Sequence, residues 1–348
     1  MSHPQAERFR EQARGCRNLG SRMYDGLLRR LADDLDAGGP SVAVLSGHEH
    51  DPGPSGLALR LLGSVHRLVL ERRAGALAAF YPTVGGTWDP EHGWPVFREL
   101  LAEQPEAVRE WLDRPPQTND VGRSAALMTG LLEAGRRRPL PVRLFEIGSS
   151  GGLNLLVDRF RYVGKGGALG PDDAPVVLDP AWAGAPPPGV VPRVVERLGS
   201  DVMPIDVRST EGRLALTAYV WPDQVARFER LRGAFRIASG TAYDVRRQAA
   251  GDFVDALTLQ AGTTTVLWHS VLWQYVAVEE RARILARLDE LGAAADEDSP
   301  LLHLFAEPTR RTPDSPHEFL VCAHSWPGGG RRRILGTMAP HGLPVTVE

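Results

Sequence analysis

Leu144-Phe145-Glu146-Ile147-Gly148-Ser149-Ser150-Gly151-Gly152-Leu153-Asn154-Leu155 joins an apolar run to a glycine- and serine-rich turn, and then to a helical pattern. An apolar stretch that ends in glycines reads as a buried strand meeting a tight turn. Small residues let the backbone approach a ligand closely, and the first N–H groups of a following helix have no intrahelical partner. Open parallel sheets bind ligands at the carboxyl ends of their strands. The turn is therefore expected to line a site.

The surrounding pattern fits that reading. VRLFEI (142–147), PRVVERLGSD (192–201), FRIASG (235–240), TTVLWHS (264–270) and LLHLFAE (301–307) are short and apolar and read as strands. Helical patterns lie between them: GLNLLVDRFRY, PDQVARFERLRGAF and AVEERARILARLDEL. Strands alternating with helices predict an α/β fold with a mostly parallel sheet covered on both faces. Residues 163–191 are rich in Gly and Pro and read as a surface insertion, and the tail from Glu318 reads as a closing hairpin. Before Pro139 the pattern is helical throughout, with Leu27, Leu28, Leu31 and Leu35 at helical spacing. Two domains are expected: a helical lid and substrate domain, 1–139, and a Rossmann-like domain, 140–348.

Composition narrows the function classes. With 348 residues, 43% hydrophobic and 24% charged, the chain is ordinary for a globular protein. A net charge of −3 implies no large basic surface for nucleic acid. Cys16 and Cys322 are too few for a disulfide framework or a cysteine zinc site. His48-Glu49-His50-Asp51 lacks the i, i+4 spacing of a helical metal motif and reads as a solvated loop, so no metal is expected. The N-terminus is charged, and no run reaches the ~18 apolar residues of a membrane span. A cytoplasmic protein is expected, with a small-molecule substrate and neither nucleic acid nor membrane as partner.

Two chemistries fit the glycine turn. Glu146, Gly148, Ser150 and Gly152 resemble the acidic residue and Gly-x-Gly-x-Gly turn of class I methyltransferases, with Ser in place of the middle Gly. The resemblance implies S-adenosylmethionine (SAM) as cofactor, with the helix N-terminus facing its carboxylate. Asn154 and Asp201 complete the expected cofactor set, Asp201 taking the ribose hydroxyls at the end of the second strand. The family pattern also has an acid after the third strand, where Ser239-Gly240-Thr241-Ala242 has none. Alternatively, Gly148-Ser149-Ser150-Gly151-Gly152 satisfies G-x-S-x-G, which makes Ser150 a hydrolase nucleophile. His341 would then be the base, with Asp296, Asp298 or Asp314 as its orienter. A third reading is a non-catalytic nucleotide-binding protein on the same fold. The helical character of the first 139 residues, and the absence of an HGGG-type segment, favour the methyltransferase reading.

On that reading His269, at the end of the fourth strand, is the expected general base. The expected substrate residues are His66, Gln117, Asn119, Arg123, Trp221, Asp223, Gln224, Trp273 and Gln274. Each has a plain structural reading too: His66 as a core histidine, Asn119 as a helix cap, Asp223 as a first-turn acid. Over nearly its full length the chain resembles the bacterial family catalogued as domain of unknown function 2332. The resemblance is carried by residues 59–66, 117–123, the glycine turn, 219–224 and 268–275. It implies no activity.

Overall fold

The computed structural model describes residues 3–348. The chain divides into two compact units, Met1–Thr118 with Ser209–Glu229, and Asn119–Arg208 with Arg230–Glu348. The helices in chain order are α1 (Ala6–Asn18), α2 (Arg22–Asp36), α3 (Pro40–Val44), α4 (Leu57–Leu70), α5 (Gly75–Ala78), α6 (Pro90–Glu103), α7 (Pro105–Arg109), α8 (Ser124–Arg137), α9 (Thr210–Ala218), α10 (Val225–Gly240), α11 (Ala250–Asp255) and α12 (Val278–Ala294).

The first unit is helical. Gly20, at φ 89°, ends the turn after α1, and Ser21 caps α2 by accepting from the Tyr24 N–H. The central helix α4 is buried almost all round, as a helix inside a core must be. Its Gly63 faces Tyr219, where a Cβ would lie 2.7 Å from the ring. Its buried Arg67 is neutralised by Glu110 at 2.9 Å and lies over the Trp111 ring at 4.6 Å. Leu27, Leu31, Leu62, Phe97 and Trp221 belong to the same apolar core.

The second unit is built on strands β1 (Val142–Ile147), β2 (Arg161–Gly164), β3 (Gly167–Leu169), β4 (Val177–Leu178), β5 (Val194–Asp201), β6 (Asp244–Arg247), β7 (Thr264–Ser270), β8 (Leu301–Arg310), β9 (His317–Trp326), β10 (Arg333–Met338) and β11 (Val345–Val347). An eight-stranded sheet runs β6-β5-β1-β7-β8-β9-β10-β11. It is parallel from β6 to β8, and β9, β10 and β11 continue it as an antiparallel meander. The chain steps outward from β1 through β5 to β6, then returns to lay β7 and β8 on the other side. Strand order thus reverses between β1 and β7, the position where open α/β sheets take ligands. Phe145, Ile147 and Leu267 meet Phe253, Ile284 and Leu288 of α11 and α12 on one face. On the other face α8 comes so close that a Cβ at Gly130 would lie 2.5 Å from Leu304.

Four local expectations change. FRIASG lies inside α10, whose buried Leu231, Ala234 and Ala238 have helical spacing. The third parallel strand is instead β6, at the edge of the sheet and largely exposed. The residues after β1 form a 3-10 stretch, Leu153–Arg159, and pass into β2 where a longer helix was expected. Residues 163–191 are not a loose insertion: β2, β3 and β4 form a small sheet of their own. Finally, α8 packs on β8 and β9 of the large sheet, so the division falls at 118 and 209–229 and not at 139.

The small sheet is anchored by buried Tyr162 and Trp182, whose rings lie 5.8 Å apart. The Trp182 indole N–H donates to Thr129 Oγ1 of α8 at 2.9 Å. Trp182→Phe removes that donor and part of a fully buried ring. Stability is expected to fall by about 1–3 kcal/mol, read as a lower denaturant midpoint at unchanged m-value.

Candidate functional site

The turn after β1 is held in left-handed backbone at Gly148 (φ 65°), Ser150 (φ 53°) and Gly152 (φ 71°). Across the strand-order reversal, the residue after β7 is Val271, also left-handed at φ 53°. A β-branched residue rarely adopts that conformation, and holding it costs about 1–3 kcal/mol. The turn is clamped to the end of β5: Ser150 N–H donates to Asp201 Oδ2 at 2.8 Å, and Met203 N–H donates to Asp201 Oδ1 at 2.8 Å. Asn119 Oδ1 accepts the Leu153 N–H at 2.9 Å and so caps the 3-10 stretch.

Glu146, the penultimate residue of β1, is 2% exposed. Asn154 Nδ2 donates to its Oε1 at 3.4 Å, and Ser124 Oγ donates to Asn154 Oδ1 at 2.7 Å. Its Oε2 is buried and has no partner. Burial pushes the Glu146 carboxyl up to about 8, and the nearby Asp201 charge adds to the rise. The Asn154 amide, the Trp268 indole and the Arg123 charge oppose it. Arg123 Nη1 reaches the Ser270 carbonyl at the end of β7 at 3.5 Å.

Glu146, Gly148, Ser150, Gly152, Asn154, Asp201, Asn119 and Arg123 are therefore gathered at the carboxyl edge. Two of the glycines have an internal reason to be there. A Cβ at Gly148 would lie 2.5 Å from Leu272, and one at Gly152 would lie 2.6 Å from Val245 and 2.7 Å from Tyr243. The Tyr243 hydroxyl donates to the Gly151 carbonyl at 3.0 Å.

His269 is elsewhere. Glu146 is in register with Trp268, so His269 points to the opposite face of the sheet. Its Nδ1 lies 2.8 Å from Glu307 Oε1 and its Nε2 lies 3.0 Å from His303 Nε2. Its ring is stacked on Trp273 at 4.4 Å and on Phe305 at 5.5 Å. With both nitrogens committed on the opposite face of the sheet, His269 does not lie beside the glycine turn. Trp273 and Gln274 follow it, lining a cavity with His269, His303, Glu307 and His324.

The residues expected from the helical unit are structural where their contacts are seen. His66 is fully buried, with Nδ1 3.0 Å from the Ala218 carbonyl and Nε2 2.7 Å from Thr83 Oγ1. Burial brings it down to about 4, so it stays neutral. Asp223 accepts from Ser21 Oγ at 2.7 Å and from the Met23 N–H at 3.0 Å, holding the start of α2. Gln224 Nε2 donates to the Leu19 carbonyl at 2.8 Å, and Trp221 packs on Tyr24 at 5.9 Å. Gln117 is half-buried in the irregular stretch before Asn119. For the hydrolase reading, His341 Nδ1 lies 3.2 Å from Asp120, and Asp296 caps its own turn through Ser299.

Ser124, Tyr243, Leu272, His303 and Glu307 complete these arrangements and were not singled out in the sequence. Glu307 closes the run LLHLFAE that was read as a strand, and β8 continues past it to Arg310. Among the described residues no group of three or more His, Cys, Asp or Glu is arranged to hold a metal ion, and no helix is long and apolar enough to cross a membrane.

The chain belongs to the family described as an uncharacterized protein conserved in bacteria (DUF2332), whose model matches residues 6–346. No curated protein and no solved structure matches it.

Glu146 has a thermodynamic signature. Its folded-state pKa lies above the ordinary value of 4.5, so between pH 4.5 and about 8 the folded chain binds more protons than the unfolded one. That contribution to stability is complete below 4.5 and is lost as pH rises through about 8. Glu146→Gln is expected to flatten the pH dependence of unfolding over this window, by a few kcal/mol at most, and to leave the variant the more stable form at pH 8. Denaturant unfolding at a series of pH values checks it.

Proposed function

We propose that this family member binds SAM at the carboxyl edge of β1, β5 and β7 and transfers its methyl group to a small O- or N-acceptor. The observation that carries the reading is the placing of two acids around a glycine turn where strand order reverses. Glu146 is buried with an unpartnered oxygen, and Asp201 closes the end of β5. A buried carboxyl with an orphaned oxygen calls for a donor, preferably a cationic one. The ammonium group of SAM is such a donor, and Asp201 still has lone pairs for a ribose diol. The bound cofactor supplies an activated methyl group.

The chain's own work is orientation and exclusion of water. Asn154, held by Ser124, fixes Glu146. Asn119 fixes the start of the 3-10 stretch, and Arg123 sets a positive charge near Glu146 and the end of β7. The proposal gives His269 no role as base, because both of its nitrogens are engaged on the other face. Arg123 and Asn119 are retained as candidates for the acceptor, and Asp201 for the cofactor. One feature favours the hydrolase reading: Ser150 is left-handed at φ 53°, as a strained elbow nucleophile would be. Its N–H is committed to Asp201, however, and the turn follows the first strand of the sheet.

Calorimetry with S-adenosylhomocysteine tests the proposal. Glu146 is mostly protonated near pH 7 and becomes ionised against an ammonium, so binding should release up to about one proton. The observed enthalpy should then depend on the ionisation heat of the buffer. Glu146→Gln should abolish that dependence, and Asp201→Asn should weaken binding about tenfold or more. Gly148→Val is a poor probe, because Leu272 and the positive φ would strain it without any ligand. Absence of binding to the folded protein, with Ser150 labelled by a fluorophosphonate, would replace this reading by the hydrolase one.

A further inference from the structure

The face of the sheet opposite Glu146 carries a second constellation. A cavity of about 410 Å³ is lined by His269, Trp273, Arg281, His303, Glu307, Phe305 and Arg332, among others. It lies wholly within the sheet-containing unit. Arg281 Nε donates to the Val276 carbonyl, and Arg332 Nη2 donates to the Arg311 carbonyl. Among the described residues neither guanidinium is paired with a carboxylate. Glu307 is the single acid among the lining residues; its Oε1 is already taken, and its Oε2 is buried without a partner. Oε1 accepts the Leu272 N–H at 2.9 Å and the Trp273 N–H at 3.3 Å.

Those two donors fix the tautomers of the histidines. A carboxylate oxygen that accepts two N–H groups is an acceptor toward its third neighbour, so His269 Nδ1, at 2.8 Å, carries a proton and donates. A His269 carrying one proton, at Nδ1, has an acceptor at Nε2, and His303 Nε2 then supplies the proton across 3.0 Å. Neutral His303 is left with an acceptor at Nδ1. That atom is buried and has no partner, and His303 is 1% exposed. Burial, with His269 and His324 nearby, holds His303 well below the ordinary histidine range, which keeps it neutral. The lining of the cavity therefore holds a buried acceptor, His303 Nδ1, beside the likewise unpartnered Glu307 Oε2 and His324 Nε2, with positive charge at its rim.

We propose that this cavity is a ligand site, separate from the glycine turn, for a small planar aromatic acid that also carries a hydroxyl group. The hydroxyl donates to His303 Nδ1, the ring lies among Trp273, Phe305 and the side chain of Leu285, and the carboxylate meets Arg281 and Arg332. The Glu307–His269–His303 chain acts as a positioning device: it dictates which nitrogen of His303 accepts. No bond to the ligand forms or breaks.

Calorimetry with 4-hydroxybenzoate tests this, whether or not the protein binds S-adenosylhomocysteine. 4-Methoxybenzoate lacks the donor and 4-hydroxybenzamide lacks the charge, so each should bind about tenfold more weakly or worse. Arg332→Gln alters an exposed side chain and should weaken 4-hydroxybenzoate about fivefold or more, with little effect on 4-hydroxybenzamide. His303→Phe should erase the preference for the hydroxyl over the methoxy ligand; Glu307→Gln, which disturbs the tautomer relay, should reduce it. No saturable binding to folded wild type up to about 10 mM would overturn the proposal. Equal binding of all three ligands, or binding indifferent to Arg332→Gln, would overturn it as well.

Discussion

A carboxyl group buried inside a parallel sheet organises the edge around it. Glu146 has too little water to ionise freely, and its neighbours compensate only in part. Ser124 turns Asn154, Asn154 turns toward Glu146, and Arg123 is held near by the end of β7. The glycine turn then has one course open to it, with its backbone left-handed at three positions and its N–H tied to Asp201. The strain at Val271 belongs to the same edge. Left-handed backbone at a valine is kept only where the surroundings over-determine it.

The sheet gives its two faces different chemistry through the alternation of side chains along one strand. Trp268 turns toward Glu146, and His269, the next residue, turns toward Glu307 and His303. An acidic, proton-bearing group therefore faces one side, and a hydrogen-bonded imidazole pair with arginines beyond it faces the other. Sequence adjacency at the end of β7 is no guide to a shared site, because period-two geometry separates neighbours by the thickness of the sheet.

That alternation also explains what could be read in advance. β1 and β7 were legible to the residue, as apolar runs buried on both faces, and β5 was legible within two residues at its start. β6 was not, since an exposed edge strand reading Asp-Val-Arg-Arg has no apolar pattern to reveal it. Phe235-Arg236-Ile237 imitates a strand, and only the burial of Leu231, Ala234 and Ala238 identifies a helix. That Glu146 and Asn154 flank the turn was legible from the turn itself, and that Asp201 ends the next parallel strand was legible from the apolar run before it. His66 and Asp223 were not separable from pocket residues, because their partners Ala218 and Ser21 lie far away in the sequence. A polar residue buried against a distant carbonyl or hydroxyl leaves no local trace. Glu307 closed a run that was read as a strand, but its alliance with His269 depends on the pairing of β7 with β8.

The helical unit takes Ser209–Glu229 from far downstream, and that has a consequence for synthesis. Trp221 completes its core, and Asp223 satisfies donors at the start of α2. A nascent chain that has emerged only to Thr118 lacks both. At ~5–20 residues per second, the ribosome needs roughly 6–20 s more to deliver them. During that interval the first seven helices wait with an open core while most of β1–β5 is made. The helical unit therefore completes its core only after Ser209–Glu229 is made, and its order of folding does not follow the order of synthesis.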